Sequence, residues 1–145
     1  MATHASRDTI TGLIFEKKVK PLVNNGGQDI SKKRLKQFCA DMGIGDIVQY
    51  LSWSFEPDIA YYDPHTKSVH IYEIKFQQTS GSADEKLGAC AWKIEEYKSL
   101  FSAIGIYNVK YTYVFCDWFK QPRYVKLLQY IKRTPDCDYV FADEL

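Results

Sequence analysis

Residues 57–77 read PDIAYYDPHTKSVHIYEIKFQ, and the fold is decided in this stretch. Two runs rich in β-branched and aromatic residues, 58–62 and 68–76, predict β-strands. The tetrapeptide between them, Asp63-Pro64-His65-Thr66, is typical of a tight turn. We therefore predict a β-hairpin near the middle of the chain.

The second strand of this hairpin carries charged residues at its far end. Alternation along a strand places Glu73 and Lys75 on the same face as Ile71. A carboxylate and an ammonium on an apolar face are costly unless they are paired or bound to a ligand. The turn folds Asp58 back towards both. Two carboxylates beside an ammonium suit Mg²⁺, which one or two carboxylates commonly hold. The structural alternative is a strand-end ion pair, with Asp58 capping a turn.

The hairpin sits between helical and extended segments. The length of 145 residues fits one domain, residues 1–145. Periodicity and capping residues predict helices over 9–23, 31–42, from 80–84 through about 102, and 122–133. Asp29 or Ser31 is the expected cap of the second helix. Further strands are predicted over 47–53, 109–116 and 139–141. We therefore expect an α/β fold with a mixed central β-sheet flanked by helices.

The spacing of the charged residues resembles a known motif. Pro57-Asp58, fourteen intervening residues and then Glu73-Ile74-Lys75 resemble the signature of PD-(D/E)XK nucleases. The resemblance extends beyond the motif, because a helix precedes the predicted hairpin and a helix and a strand follow it. That order is similar to the αβββαβ core of the superfamily. The resemblance implies a restriction-endonuclease-like core.

The resemblance also implies roles for the motif residues. Asp58 and Glu73 would ligate Mg²⁺ together with the backbone carbonyl of Ile74, and Mn²⁺ would substitute for Mg²⁺. Lys75 would orient or deprotonate the attacking water.

Positions around the motif extend this comparison. Glu16 in the first helix matches the place where many members carry an additional acidic residue, and Gln77 follows the lysine at an often polar position. Members of the exonuclease branch carry a Gln ahead of a Tyr in the next helix. Here Lys93 precedes Tyr97, so this chain departs from the pattern there.

The net charge and its distribution along the chain indicate which kinds of binding partner are possible. The chain carries 19 Lys+Arg against 18 Asp+Glu, which excludes a polycation that binds nucleic acid by bulk charge. Residues 1–40 nevertheless hold eight basic and three acidic residues, whereas residues 41–90 hold three basic and eight acidic residues. The basic face of the predicted second helix either contacts a phosphate backbone or is simply solvated. The polar loop after the motif has side chains suited to contacts with phosphates or bases. The candidate DNA-binding residues are Lys17, Lys32, Lys33, Arg34, Lys36, Gln78, Ser80, Ser82, Lys86 and Lys93.

Several other sites are not indicated. The four cysteines are scattered and form no zinc or redox pair. His65 and His70 are interpreted as surface residues. The chain has neither a long apolar run nor a signal-peptide core, so we expect a soluble, non-secreted protein of the cytoplasm or nucleus with no membrane partner.

The function predicted from the sequence is a Mg²⁺-dependent DNA endonuclease of the restriction, homing or resolvase type. Cutting both strands of a duplex needs two active sites, so we expect a homodimer or higher oligomer. One alternative is a non-catalytic nucleic-acid-binding module that retains the nuclease fold. Another is an α/β interaction protein with no nucleic-acid partner.

Overall fold

The computed structural model describes residues 4–52, 56–79 and 86–145. Within them one five-stranded sheet has its strands side by side in chain order. Its strands are β1 (Gln28–Asp29), β2 (Ile59–Asp63), β3 (Ser68–Lys75), β4 (Asn108–Phe115) and β5 (Cys137–Phe141). The first three strands pair antiparallel and the last three pair parallel, so the sheet is mixed as predicted.

Helices cover both faces of this sheet. The described α-helices are α1 (His4–Val23), α2 (Arg34–Asp41), α3 (Cys90–Ser102) and α4 (Val125–Arg133). The apolar sides of α2, α3 and α4 pack in one core cluster that includes Ile71 and Tyr111. Val19 and Val23 of α1 pack with Ile59 in a second cluster. The two clusters lie on opposite sides of the sheet, and the predicted α/β class is confirmed.

The covering helices explain the composition of β4. Its last five residues, 111–115, are all buried, because neighbouring strands and packed helices enclose both faces. A strand in such a position needs apolar or aromatic side chains on both sides. Accordingly, residues 111–115 (YTYVF) are apolar or aromatic except for Thr112, and the one charged residue of the strand, Lys110, is exposed and precedes this run.

The predicted hairpin is confirmed. Strands β2 and β3 pair from Ile59 opposite Tyr72 to Asp63 opposite Ser68. In the turn, the Asp63 carboxylate accepts a hydrogen bond of 2.9 Å from the His65 amide. This local bond stabilises the reversal that brings the far ends of the two strands together.

The prediction of a strand over residues 47–53 is wrong for its first part. Residues Ile47–Gln49 form a 3₁₀-helix, and the Asp46 side chain accepts a hydrogen bond of 3.0 Å from the Val48 amide. A local side-chain bond of this kind competes with extended pairing. Residues 53–55 of the predicted strand lie outside the described part of the chain.

The third antiparallel strand instead comes from β1, which the sequence did not predict. Asn24 and Asn25 form a turn by accepting hydrogen bonds from the Gly26 and Gly27 amides, both at 2.9 Å. A Cβ on Gly27 would lie 2.6 Å from the Tyr62 carbonyl oxygen, so glycine permits the close approach. Helix α2 therefore lies between the first two strands of the sheet, and the described order differs from the predicted αβββαβ order by this inserted helix.

The predicted cap of the second helix is also corrected. Helix α2 begins at Arg34, and the residue before it makes no side-chain cap. The Asp29 carboxylate accepts a hydrogen bond of 2.9 Å from the Ser31 amide, and it also binds Arg34 at 2.9 Å. Asp29 thus orders the loop before the helix and does not cap it.

No helix in the described ranges combines the length and the apolar character that crossing a bilayer requires.

Candidate active site

Asp58 and Glu73 are brought together by the hairpin register. The last paired residues of β2 and β3 are Ile59 and Tyr72, and one step further the register places Asp58 opposite Glu73. The Asp58 Oδ2 atom accepts a hydrogen bond of 2.8 Å from the Ile74 amide. A carboxylate has several lone-pair sites, so Asp58 is held in place and can still accept further bonds or bind a cation.

The carboxyl group of Glu73 is strongly perturbed. Burial raises the pKa of Glu73 to about 8, and the negative charge of Asp58 and a hydrogen bond to it act in the same direction. The charges of Lys75 and Lys93 oppose this rise. Two neighbouring carboxyl groups do not both ionise readily without a cation. Burial and Asp58 together therefore favour the protonated form of Glu73.

Two lysines lie against this carboxyl pair. Lys75 follows Glu73 on the same face of β3, and its register partner is Phe115 at the end of β4. Lys93 approaches from α3, where burial lowers its pKa and the charges of Glu73 and Asp58 partly restore it. Lys93, predicted as a DNA contact, thus lies among the motif residues.

A layer of tyrosines lies behind Glu73. Tyr97, Tyr111 and Tyr113 are buried, and burial and the charge of Glu73 raise the pKa of each hydroxyl. Within the described residues, the hydroxyls of Tyr111 and Tyr113 have no hydrogen-bond partner. Alternation along β4 places Tyr111 and Tyr113 on the face of the sheet that carries Glu73, whose register partner is Tyr113, and Tyr97 packs against Tyr111 from α3.

Glu16 reaches the neighbourhood of Asp58 from α1. A cavity of about 220 Å³ is lined by Glu16, Asp58 and Ile74 with apolar neighbours. The Glu16 carboxylate forms an ion pair of 2.8 Å with Lys32. The structure therefore places Glu16 at the same cavity as Asp58, already paired with a cation.

The polar residues after the motif are only partly described. The Gln77 amide donates to the Cys116 sulfur at 3.3 Å, and the Cys116 thiol donates to the Gln77 carbonyl at 3.4 Å. These bonds tie the chain after β3 to the end of β4. Gln78 is exposed. The predicted DNA contacts Ser80 and Ser82 lie outside the described residues.

The basic cluster predicted to face DNA is partly neutralised. Lys32 pairs with Glu16, and Arg34 pairs with Asp29 at 2.9 Å. Burial opposes ionisation of Asp29, but hydrogen bonds from Lys20 and Ser31 outweigh it and lower the Asp29 pKa to about 2.

The remaining cations of that region are exposed. Lys33 and Lys36 form no ion pair within the described part of the chain, and both line a cavity of about 290 Å³ beside α2. Lys17 and Lys86 are also exposed, and Lys86 acts electrostatically on Lys93. Of the four basic residues predicted to contact DNA from the second helix, two lysines therefore have no ion pair among the described residues.

The donor set of the carboxyl pair fits Mg²⁺ better than a transition metal. Among the described residues no group of three or more His, Cys, Asp or Glu side chains converges on a metal position. Asp58 and Glu73 supply hard oxygen donors, and Mg²⁺ usually retains water and substrate oxygens beside one or two carboxylates. A cation between them would also relieve the repulsion that keeps Glu73 protonated.

The interpretation of His70 as a surface residue is wrong. His70 is partly buried, its Nε2 atom lies 2.8 Å from the Thr112 hydroxyl, and its Nδ1 atom lies 3.1 Å from the Tyr72 hydroxyl. Burial lowers the pKa of His70 to about 4. It is a neutral, hydrogen-bonded histidine on the face of β3 opposite Glu73. His65 is exposed, as predicted.

Comparisons with protein-family models, with curated proteins and with solved structures found no significant match to this chain. The functional argument therefore depends on the geometry and chemistry of the residues themselves.

Proposed function

We propose that this protein is a Mg²⁺-dependent DNA endonuclease with a PD-(D/E)XK-type site and a restriction-endonuclease-like core. The observation that carries the proposal is the hairpin register, which sets Asp58 opposite the partly buried Glu73, with Lys75 on the same face and Lys93 acting on both carboxyl groups. An ordinary strand-end ion pair would lower the pKa of a glutamate. Here burial, and after it the charge of Asp58, raise the pKa of Glu73.

Each residue has a distinct task in this proposal. Asp58 and Glu73 would hold Mg²⁺, and the amide of Ile74 orients Asp58 through its hydrogen bond. To serve as a ligand, Glu73 would give up its proton to solvent. When bound, the metal supplies Lewis-acid polarisation of a phosphoryl oxygen and lowers the pKa of water.

The two lysines act on the substrate side. Lys75 orients the attacking water as an ammonium, or accepts a proton from it as the neutral amine, and Lys93 stabilises the negative charge that develops on phosphorus. Burial lowers the pKa of Lys93, so its charge acts in a partly desolvated site, where electrostatic interactions are stronger than in water. The product is a hydrolysed phosphodiester bond.

A cleavage assay tests the proposal directly. Purified protein is incubated with supercoiled, linear and branched DNA in Mg²⁺, in Mn²⁺ or in chelator. We expect cleavage with either metal and none with chelator. Defined fragments would indicate restriction, and branch-selective cutting would indicate a resolvase.

Matched variants separate catalysis from folding. Asp58→Asn and Glu73→Gln should abolish cleavage and leave DNA binding largely intact. Asp41→Asn and Glu95→Gln change exposed carboxylates of the same types and should leave cleavage unchanged. DNA binding without cleavage by the wild-type protein in every condition would overturn the nuclease proposal and favour a binding module.

Duplex cleavage also implies an assembly. One chain contributes one site, so we propose a homodimer or higher oligomer for double-strand breaks. Light scattering after gel filtration, with and without DNA, measures the mass. A monomer that still makes double-strand breaks in one encounter would contradict this part of the proposal.

A further inference from the structure

A second basic segment connects the carboxyl end of β4 to the amino end of β5. Residues 118–135 contain five Lys or Arg residues and no Asp or Glu. The rest of the chain carries 14 basic and 18 acidic residues. This segment therefore differs in sign from the remainder of the molecule.

The five cations of this segment are not equivalent. Lys120 and Lys132 form ion pairs with neighbouring aspartates at 2.5 and 2.6 Å. Arg123 stacks over two aromatic rings. Lys126 and Arg133 are exposed and form no ion pair within the described residues. Their charges are thus available to an external anion.

Lys126 and Arg133 share one side of α4 with two polar side chains. Lys126, Gln129, Tyr130 and Arg133 follow the helical spacing of one face and are all exposed. We call these four residues the α4 basic face. Seven residues of helix rise about 10 Å, the axial length of about three base pairs. Gln and Tyr side chains donate hydrogen bonds to phosphate oxygens, as Lys and Arg do.

The α4 basic face is connected to the candidate active site. The Cys116 amide donates to the Lys75 carbonyl at 3.2 Å, so the chain leaving β4 starts beside the motif lysine. Helix α4 then packs on the side of the sheet that also carries α3, the helix of Lys93. The helix runs from there towards the amino end of β5, so a polyanion along this face would have its Lys126 end towards the site and its Arg133 end away from it.

The basic cluster at α2 has less net positive charge for an external anion than the α4 basic face. There Lys32 and Arg34 are already paired with Glu16 and Asp29. Asp46 and Glu56 also line the cavity beside Lys33 and Lys36.

We propose that the α4 basic face binds the phosphate backbone of duplex DNA while a phosphodiester occupies the site at Asp58 and Glu73. This inference rests on the proposed nuclease function and specifies where its substrate lies. Its basis is charge complementarity, exposure and continuity with the site.

The test compares two double variants with equal loss of charge. Lys126→Gln/Arg133→Gln removes two cations from α4, and Lys33→Gln/Lys36→Gln removes two from α2. Glutamine has a helix propensity close to those of Lys and Arg, so neither pair should change the fold. Thermal melting followed by circular dichroism checks this.

Binding to a short DNA duplex is measured by fluorescence anisotropy over a salt series, in chelator so that no cleavage occurs. Each lost phosphate contact reduces the slope of log affinity against log salt by about 0.9. We expect the α4 pair to lower the slope by about 2 and the affinity at least about tenfold at moderate salt. The α2 pair should have a clearly smaller effect.

The outcomes separate this inference from the proposed function. An active enzyme whose salt slope is unchanged by the α4 pair would overturn the inference alone. Binding that depends on the α4 pair, without cleavage, would support the inference and overturn the nuclease. Binding to vesicles of phosphatidylcholine and phosphatidylserine through the same residues, with no DNA binding, would overturn both.

Discussion

The two faces of β3 carry two titratable side chains, Glu73 and His70, only three residues apart. Burial has the same effect on both, because it favours the uncharged form of each. On one face it raises the pKa of Glu73 to about 8, and on the other it lowers the pKa of His70 to about 4. Both shifts disfavour the charged form. The neighbours differ, because His70 has hydroxyls at both ring nitrogens, whereas Glu73 faces another carboxyl group and two lysines.

This difference distinguishes His70, a structural polar group, from Glu73, the group that we propose to act in catalysis. His70 is satisfied by its own fold and needs nothing further. Glu73 is satisfied only while it keeps a proton, and a cation can replace that proton. A shifted pKa alone therefore does not identify a site, whereas the chemistry of the partners does.

The largest expected difference between the faces is in cleavage. Removing a metal ligand costs several kcal/mol of transition-state stabilisation, so Glu73→Gln should lower the cleavage rate by about 100-fold or more. His70→Gln should leave the rate within about twofold when assayed well below its melting temperature, since His70 lies on the opposite face. Single-turnover plasmid cleavage measures both. Equal losses of cleavage rate in the two variants would contradict the proposed difference in function between Glu73 and His70.

Stability should respond to pH with opposite signs on the two faces. Glu73 binds its proton more tightly in the folded state, so its contribution is complete below pH 4.5 and is lost as the pH rises towards about 8. The contribution of neutral His70 is complete above pH 6.5 and is lost as the pH falls towards about 4. Urea titrations in chelator across this range measure the free energy of unfolding. The two ranges overlap between pH 4.5 and 6.5, where the two contributions have opposite slopes. Glu73→Gln should therefore remove the loss of stability between pH 6.5 and about 8, and His70→Gln should reduce the loss that acidification causes below pH 6.5.

Mg²⁺ should stabilise the protein more at high pH. The cation and the proton compete for Glu73, so the gain in melting temperature at a fixed Mg²⁺ concentration should be larger at pH 9 than at pH 6. Differential scanning fluorimetry of wild-type protein and Glu73→Gln provides the comparison. A gain independent of pH, or one retained in the variant, would place the cation elsewhere.

The smallest effects concern the hydroxyl groups on each face. Thr112→Val leaves His70 without one partner and should cost about 1–3 kcal/mol of unfolding free energy. Tyr111→Phe removes a buried hydroxyl that has no partner in the described structure, so its effect should lie between neutral and about 1 kcal/mol of stabilisation. Urea denaturation of both variants tests this ranking, and a strongly destabilised Tyr111→Phe would reveal a bond to that hydroxyl.

The elements predicted well are those whose pattern is local. The hairpin follows from two extended runs around a turn, and β4 follows from a run of β-branched and aromatic residues. The predictions that failed concern segments in which local hydrogen bonds compete with pairing to distant strands. Residues 47–49 have strand-like composition, but the Asp46 side chain stabilises a 3₁₀-helix. Strand β1 has only two residues, too few for any periodicity.

A similar part of the candidate site could be predicted from the sequence. Asp58, Glu73 and Lys75 follow from alternation and from the reversal at the turn. In the layer of tyrosines behind Glu73, Tyr111 and Tyr113 also follow from alternation along β4, whereas the position of Tyr97 depends on how α3 packs, which no spacing in the chain specifies. The pairing of Lys32 with Glu16 joins residues from separate elements and was likewise not predictable.

The sequence by itself determined the α/β class, the hairpin and the juxtaposition of two carboxylates with a lysine, because strand alternation and turn chemistry act over neighbouring residues. The tertiary structure decided which of these groups is charged and which cations are already paired. Burial and distant partners set the pKa of Glu73 and His70 and neutralise part of the basic cluster on α2. Such properties depend on desolvation and on charges brought together by folding, which arise only when separate elements pack.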